Sequence, residues 1–255
     1  MRSVFSVLHQ RTESWNLFIT SVSKKPYNAV ISTQHVHSCK SLCFHYFTTI
    51  TGCTRLKEPF AKFVKTQLSS NILLITCGLP GTWKTETSQE ISKIKGYQIL
   101  RTDIIRLEVL KNEDIFDVKV AGNMNKRKLV YDQMFRQAET LAKKGKGVIL
   151  DATFVTRDLR GRAAEIAAKT KIPFVILQTN CSEKASINRI LRRTKENYES
   201  NALTKEAYIV NKNKFESVNL DNLKERHPNL ELIHLTVDTE NDNPKDWYII
   251  GKEVK

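Results

Sequence analysis

Gly78-Leu79-Pro80-Gly81-Thr82-Trp83-Lys84-Thr85 follows directly on the apolar run Ile72 to Thr76. The octapeptide is one letter away from G-x-x-x-x-G-K-[ST], a loop whose backbone N–H groups, together with the dipole of the helix that follows, converge on a polyphosphate. An apolar strand before it and helix-compatible text after it supply the context the motif requires. On this reading Gly78 to Thr85 is the nucleotide-binding segment. Lys84 reaches the β- and γ-phosphates, and Thr85 offers its hydroxyl to Mg²⁺. Trp83 is the departure, because the pattern has glycine there and a bulky residue is disfavoured if the loop needs positive φ or close backbone approach. Its N–H is retained. The competing reading is a Gly-Pro turn that only joins a strand to a helix.

A chain of 255 residues is long enough for one good core with some tail left over. The formal charge of +14 is unevenly dense: residues 1 to 70 hold nine Lys/Arg against two Asp/Glu, and the remaining residues carry the other +7. A moderate basic excess suits a protein that handles phosphates or nucleic acid, without choosing between them. Five scattered cysteines, Cys39, Cys43, Cys53, Cys77 and Cys181, have no paired spacing and point to a reducing compartment, hence the cytoplasm. No apolar stretch approaches the roughly 18 to 20 residues that span a bilayer, so no membrane association is expected.

The text changes character near residue 70. Residues 1–70 are rich in Ser and Thr, poor in acids and without sustained periodicity, and they read as a basic, weakly structured extension. Their beginning, Met1 to Lys25, leaves organellar targeting open as an alternative. The crowd of His35, His37, Cys39, Cys43, His45 and Cys53 matches no zinc-module spacing. Residues 71–255 alternate strand and helix as an α/β domain does. Strands are predicted at Ile72 to Thr76, Tyr97 to Arg101, Gly147 to Leu150, Pro173 to Thr179 and Leu230 to Val237. Helices are predicted at Lys84 to Lys93, Asp103 to Leu110, Met124 to Lys144, Arg157 to Thr170, Ser182 to Lys195 and Thr204 to Phe215. The expected fold is a five-stranded, mainly parallel sheet between helical layers.

Three further places carry candidate chemistry. Arg101-Thr102-Asp103-Ile104-Ile105-Arg106 lies at the carboxyl end of the second predicted strand, where open α/β sheets bind ligands. Asp103 and Arg106, three apart at a helix start, pair a carboxylate able to take a hydroxyl proton with a guanidinium able to hold an anion. The alternative is a dipole-stabilised helix-start carboxylate with an exposed partner. Asp151 ends the third predicted strand and is a second metal-site candidate beside Thr85, or else an ordinary turn acid. Arg189 and Arg193, four apart on one predicted helix, suit a lid that neutralises transferring phosphate, or a solvated basic face.

Together these elements resemble the P-loop kinase-like family of ATP-binding proteins that includes the polynucleotide 5′-kinases. The resemblance rests on the Gly-Leu-Pro-Gly loop of Gly78 to Thr85, Asp-x-x-Arg at Asp103 and Arg106, Leu-Asp-Ala-Thr at Leu150 to Thr153, and Arg-x-x-x-Arg at Arg189 and Arg193. It covers about Asn71 to Val237 and implies a P-loop NTPase fold, a three-layer sandwich with a helical lid. It also implies ATP and Mg²⁺ as cofactors, Asp103 as general base on an acceptor hydroxyl, Arg106 as holder of the acceptor's phosphate, and Arg193 at the donor. The acceptor is expected to be a nucleic-acid end or a small anionic metabolite. Two other outcomes stay open: a non-catalytic ATP-binding module, for which Trp83 argues, and a toxin-like kinase acting on nucleotide sugars.

Overall fold

The computed structural model describes residues 57–115, 117–194 and 202–255. Its strands are β1 (Glu58–Pro59), β2 (Leu73–Cys77), β3 (Gln98–Arg101), β4 (Val148–Asp151), β5 (Phe174–Asn180), β6 (Leu232–Asp238) and β7 (Tyr248–Val254). They form one seven-stranded sheet in the order β1-β7-β6-β5-β2-β4-β3. The five strands read from the sequence are all present and mutually parallel, with β2 between β4 and β5. The expected five-stranded sheet is corrected to seven, because β7 adds antiparallel to β6 and β1 antiparallel to β7.

The central strands form where long apolar runs occur. LLITC of β2 and VILD of β4 are buried throughout, as expected of parallel strands covered on both faces. Alternate residues face opposite sides. Leu73, Ile75, Val148, Leu150, Phe174 and Ile176 join one apolar cluster, and Leu74, Ile149, Val175 and Leu177 join the other. The first cluster is closed by α3 (Thr102–Val109), α5 (Met124–Ala142), α6 (Arg157–Thr170) and α9 (Leu220–Arg226), and the second by α1 (Phe60–Gln67) and α2 (Lys84–Lys95). The result is the three-layer α/β sandwich. α4 (Val118–Gly122), α7 (Glu183–Leu191), α8 (Lys205–Lys214) and a 3₁₀ turn at Pro244–Asp246 complete the described elements.

Local chemistry fixes the helix ends. Gly96 closes α2 in the left-handed region and donates its N–H to Ser92 O at 2.7 Å, the usual glycine stop. Thr156, Ser182, Thr204 and Asn219 each accept from a backbone N–H of the helix they precede, satisfying donors that have no partner inside the helix.

The division at residue 70 also needs correcting. Phe60, Phe63, Val64 and Leu68 are buried in the second cluster, Phe60 N donates to Trp247 O at 2.9 Å, and the two rings meet edge to face at 5.9 Å. The segment from Glu58 to Leu68 is therefore part of the core. The readings that concern residues 1–56, including the targeting alternative and the His/Cys crowd, lie outside the described residues. Among the described residues no helix is long and apolar enough to cross a membrane.

Candidate active site

β2 delivers the chain into the loop at Gly78, whose N–H donates to Thr153 O at 3.2 Å. Two glycines are required by the geometry. Gly78 has φ 144° and Gly81 φ 80°, and a Cβ would lie 2.8 Å from Thr179 O at the first and 2.4 Å from Ser186 O at the second. Any side chain would collide with backbone there, in a conformation L-residues rarely adopt. Buried Thr82 closes the turn, its Oγ1 donating to Leu79 O at 2.8 Å and pairing with Thr179 Oγ1 at 2.6 Å. Lys84 folds back across the loop and donates from Nζ to Leu79 O at 2.6 Å. Burial lowers the Lys84 pKa from 10.5 to about 8, with Asp151 pulling it up and Arg193 pushing it further down. Loss of hydration destabilises the ammonium, yet it stays charged at neutral pH.

Trp83 takes the left-handed conformation, φ 58° and ψ 36°, that the glycine of the pattern would take freely. For an L-residue this costs roughly 1–2 kcal/mol. The indole is held by long-range partners: Nε1 donates to Asp242 Oδ1 at 3.3 Å, and the Arg189 guanidinium lies 4.8 Å from the ring centroid.

Asp151 stands at the centre of the site. The parallel register of β2 on β4 pairs Ile75 with Leu150, which brings Thr76 and the end of β4 together. Thr76 Oγ1 lies 3.2 Å from Asp151 Oδ1, and Thr85 Oγ1 donates to Asp151 Oδ2 at 2.7 Å. A hydroxyl and a carboxylate oxygen meeting beside the loop are the hard donors that Mg²⁺ takes, so these residues fit the metal role expected of them. On the other side β3 pairs Arg101 with Asp151 in register. Arg101 Nε comes 3.4 Å from Asp151 Oδ2, an ion pair without hydrogen-bond alignment.

β3 leads straight into α3, which puts half-buried Asp103 in the first turn beside Arg101. Burial pushes the Asp103 pKa up; Arg106 pulls it down, Asp151 raises it, and Arg101 and Arg193 lower it. The charges of Arg106, Asp151 and Arg193 thus all act on Asp103. Arg106 Nε is buried with no hydrogen-bond partner among the described residues. Arg193 donates to Ala202 O at 3.3 Å, and its charge acts on Lys84, Glu86 and Asp103 alike.

Arg189, expected on a lid over the transferring phosphate, is fully engaged with groups of the protein itself. Its Nε donates to Asp242 Oδ1, one terminal nitrogen to Gly81 O and Cys181 Sγ, and the other to Thr239 O and Glu240 O. Every N–H of the guanidinium is used, and the side chain is only 5% exposed. In this conformation Arg189 is an internal clamp joining the loop to the segment after β6. Because α7 ends at Leu191, Arg193 lies beyond it and the two arginines do not share a face of one continuous helix.

Several participants were not singled out from the sequence. Arg101 has the signal of its place two residues before Asp103. Glu86, whose pKa burial raises, directly follows Thr85. Thr239 donates from Oγ1 to Thr82 O at 3.0 Å, and with Asp242 it acts across a sequence gap that no local pattern reveals.

A family model described as AAA domain matches residues 73–238. The chain belongs to the AAA domain family. The matched span runs from the loop strand to the end of β6 and contains every site residue expected from the sequence, while Thr239 and Asp242 lie just beyond it. Among curated proteins this AAA domain chain is similar to the uncharacterized protein Rv2004c of Mycobacterium tuberculosis H37Rv, 27% identical over 136 residues, covering 51% of this chain and 27% of that protein. It therefore spans about a quarter of that relative's length. Among solved structures, a candidate kinase from Chloroflexus aurantiacus J-10-fl superposes with a TM-score of 0.50 at 19% identity, over 68% of this chain and 90% of that one. The AvrRxo1-ORF1:AvrRxo1-ORF2 structure with sulphate ions gives a TM-score of 0.50 at 15% identity, over 76% and 62%. At these identities the likeness is one of fold.

Proposed function

We propose that this protein is a kinase that transfers the γ-phosphoryl group of Mg·ATP to a hydroxyl acceptor. The observation that carries the reading is Asp151, joined to Thr85 of the loop on one side and to Arg101, two residues from Asp103, on the other. Donor loop, metal oxygens and candidate base then share one centre. When bound, Mg·ATP supplies the phosphoryl group and the metal's charge neutralisation. The loop amides from Gly78 to Thr85 and the Lys84 ammonium hold the polyphosphate, while Thr85 and Asp151 hold the metal. Asp103 accepts the hydroxyl proton as the acceptor oxygen bonds to phosphorus and the bridge to the leaving diphosphate breaks. Arg193 faces the developing charge.

The nucleoside is assigned to a cleft of about 570 Å³ whose walls include Asn188, Arg189, Arg192, Asn241, Asp242 and Tyr248. Arg189 forms one wall and also binds Gly81 of the loop, so cleft and loop are contiguous. Arg106, whose buried Nε has no hydrogen-bond partner among the described residues, favours an acceptor that carries an anionic group near its hydroxyl, whether a nucleic-acid end or a small metabolite. Free Cys77 and Cys181 suit work in the reducing cytoplasm.

The test is incubation of the full chain with γ-labelled Mg·ATP and a panel of phosphorylated and non-phosphorylated sugars, nucleosides, oligonucleotide ends and nucleotide sugars. Label should move to a hydroxyl of an anionic acceptor. Tight ATP binding without transfer to any acceptor would make the protein a binding module instead.

A further inference from the structure

We infer that Trp83 is a positioning residue that makes the loop's grip on polyphosphate depend on what fills the nucleoside cleft. The inference rests on the nucleotide-binding reading above and goes beyond it. A left-handed non-glycine residue persists only where its surroundings over-determine it, and here three successive loop residues are tied to the same segment. Gly81 O accepts from Arg189, whose other nitrogens hold Thr239 O, Glu240 O and Asp242. Thr82 O accepts from Thr239 Oγ1 at 3.0 Å. Trp83 completes the clasp through Asp242 and the stacked Arg189.

The stretch Glu240 to Asp242 is also part of the cleft wall. Glu240 and Asp242 line the cleft, as does Arg189, and Glu240 in turn holds the start of α7 through Ser182 N and Oγ at 2.6 and 2.7 Å. A nucleoside in the cleft therefore touches the very groups that hold the indole, and the indole's own backbone immediately precedes Lys84. Glycine at position 83 would adopt the same backbone without strain and without a side chain to hold. The loop would then keep its shape and the ties at Gly81 O and Thr82 O, but lose the side-chain link from position 83 to the cleft wall. Trp83 thus acts as a selector of nucleoside triphosphates over bare polyphosphates, a coupling between two parts of one ligand.

Calorimetric titration of the full chain with Mg·ATP and with Mg·tripolyphosphate measures this directly. Wild type should prefer ATP. In Trp83→Gly the preference should fall about tenfold or more, mainly through weaker ATP binding, with tripolyphosphate bound at least as tightly as by wild type. Trp83→Phe, which keeps a ring for Arg189 but lacks the N–H for Asp242, should fall between them. An ATP-to-tripolyphosphate affinity ratio in Trp83→Gly within twofold of wild type overturns the inference, as does a wild type with no preference. A wild type that binds neither probe overturns the nucleotide reading instead.

Discussion

Replacing Lys84 with methionine should stabilise the free protein while removing its hold on nucleotide. The ammonium is charged at neutral pH in a place that lowers its pKa from 10.5 to about 8, and at ~1.4 kcal/mol per pKa unit this is a destabilisation of about 3 kcal/mol. Methionine has a similar volume and no charge to desolvate. It gives up the 2.6 Å bond from Nζ to Leu79 O, worth about 1 kcal/mol or somewhat more for a charged donor; that carbonyl still accepts from Thr82 Oγ1. The net gain at pH 7 is therefore about 1–2 kcal/mol, on the order of 0.5–1 M in urea midpoint at a slope of ~2 kcal/mol/M. The sign with pH is fixed. A lysine whose folded pKa is depressed is penalised fully below about 8, and the penalty disappears as pH rises towards 10.5, because the unfolded chain then gives up its proton too. Urea unfolding of both full-length proteins without nucleotide, at pH 7 and pH 10, reads the gap. A methionine variant less stable than wild type at pH 7, or a gap that does not narrow by pH 10, would refute the reasoning. Loss of nucleotide binding in the same variant would mark a site that gives up stability for function.

Two more outcomes follow from the same geometry. Asp103→Asn should lower kcat by about 10²–10⁴-fold with little change in ATP affinity, and the acid limb of the kcat profile, displaced above the ordinary carboxylate range by burial, should vanish with it; a wild-type rate would assign the base elsewhere. Phe60→Ala in the full chain should cost about 3–5 kcal/mol in urea unfolding, since Phe60 is 1% exposed against Trp247; a wild-type midpoint would remove α1 from the core.

What could be read from the sequence follows the physics of each element. β2, β4 and β5 are covered on both faces, so they appear as unbroken apolar runs. β7 reads Tyr-Ile-Ile-Gly-Lys-Glu-Val and is mostly half-buried, and Gly251 with two charges breaks the pattern that marks a strand. β1 is two residues long and ends in Pro59, tolerable only because it lies at the sheet edge. Helix α1 was legible in principle: Phe60, Phe63 and Val64 stand at i, i+3 and i+4, a spacing hidden by the composition of the text before it.

The site divides in the same way. Residues placed by strand ends and by the loop, from Gly78 to Thr85 with Asp103 and Asp151, are local to motifs and could be named from them. The partners of Trp83 and Arg189 could not, because Asp242 is 159 residues from Trp83 in the chain and no periodicity connects them. The single letter by which the loop departs from its pattern is the one whose side chain reaches furthest across the fold. If Trp83 were only a tolerated substitution, its indole would have no reason to share Asp242 Oδ1 with Arg189. That shared carboxylate joins the strained loop residue to the clamp holding Gly81, and so makes the departure from the pattern a part of the site.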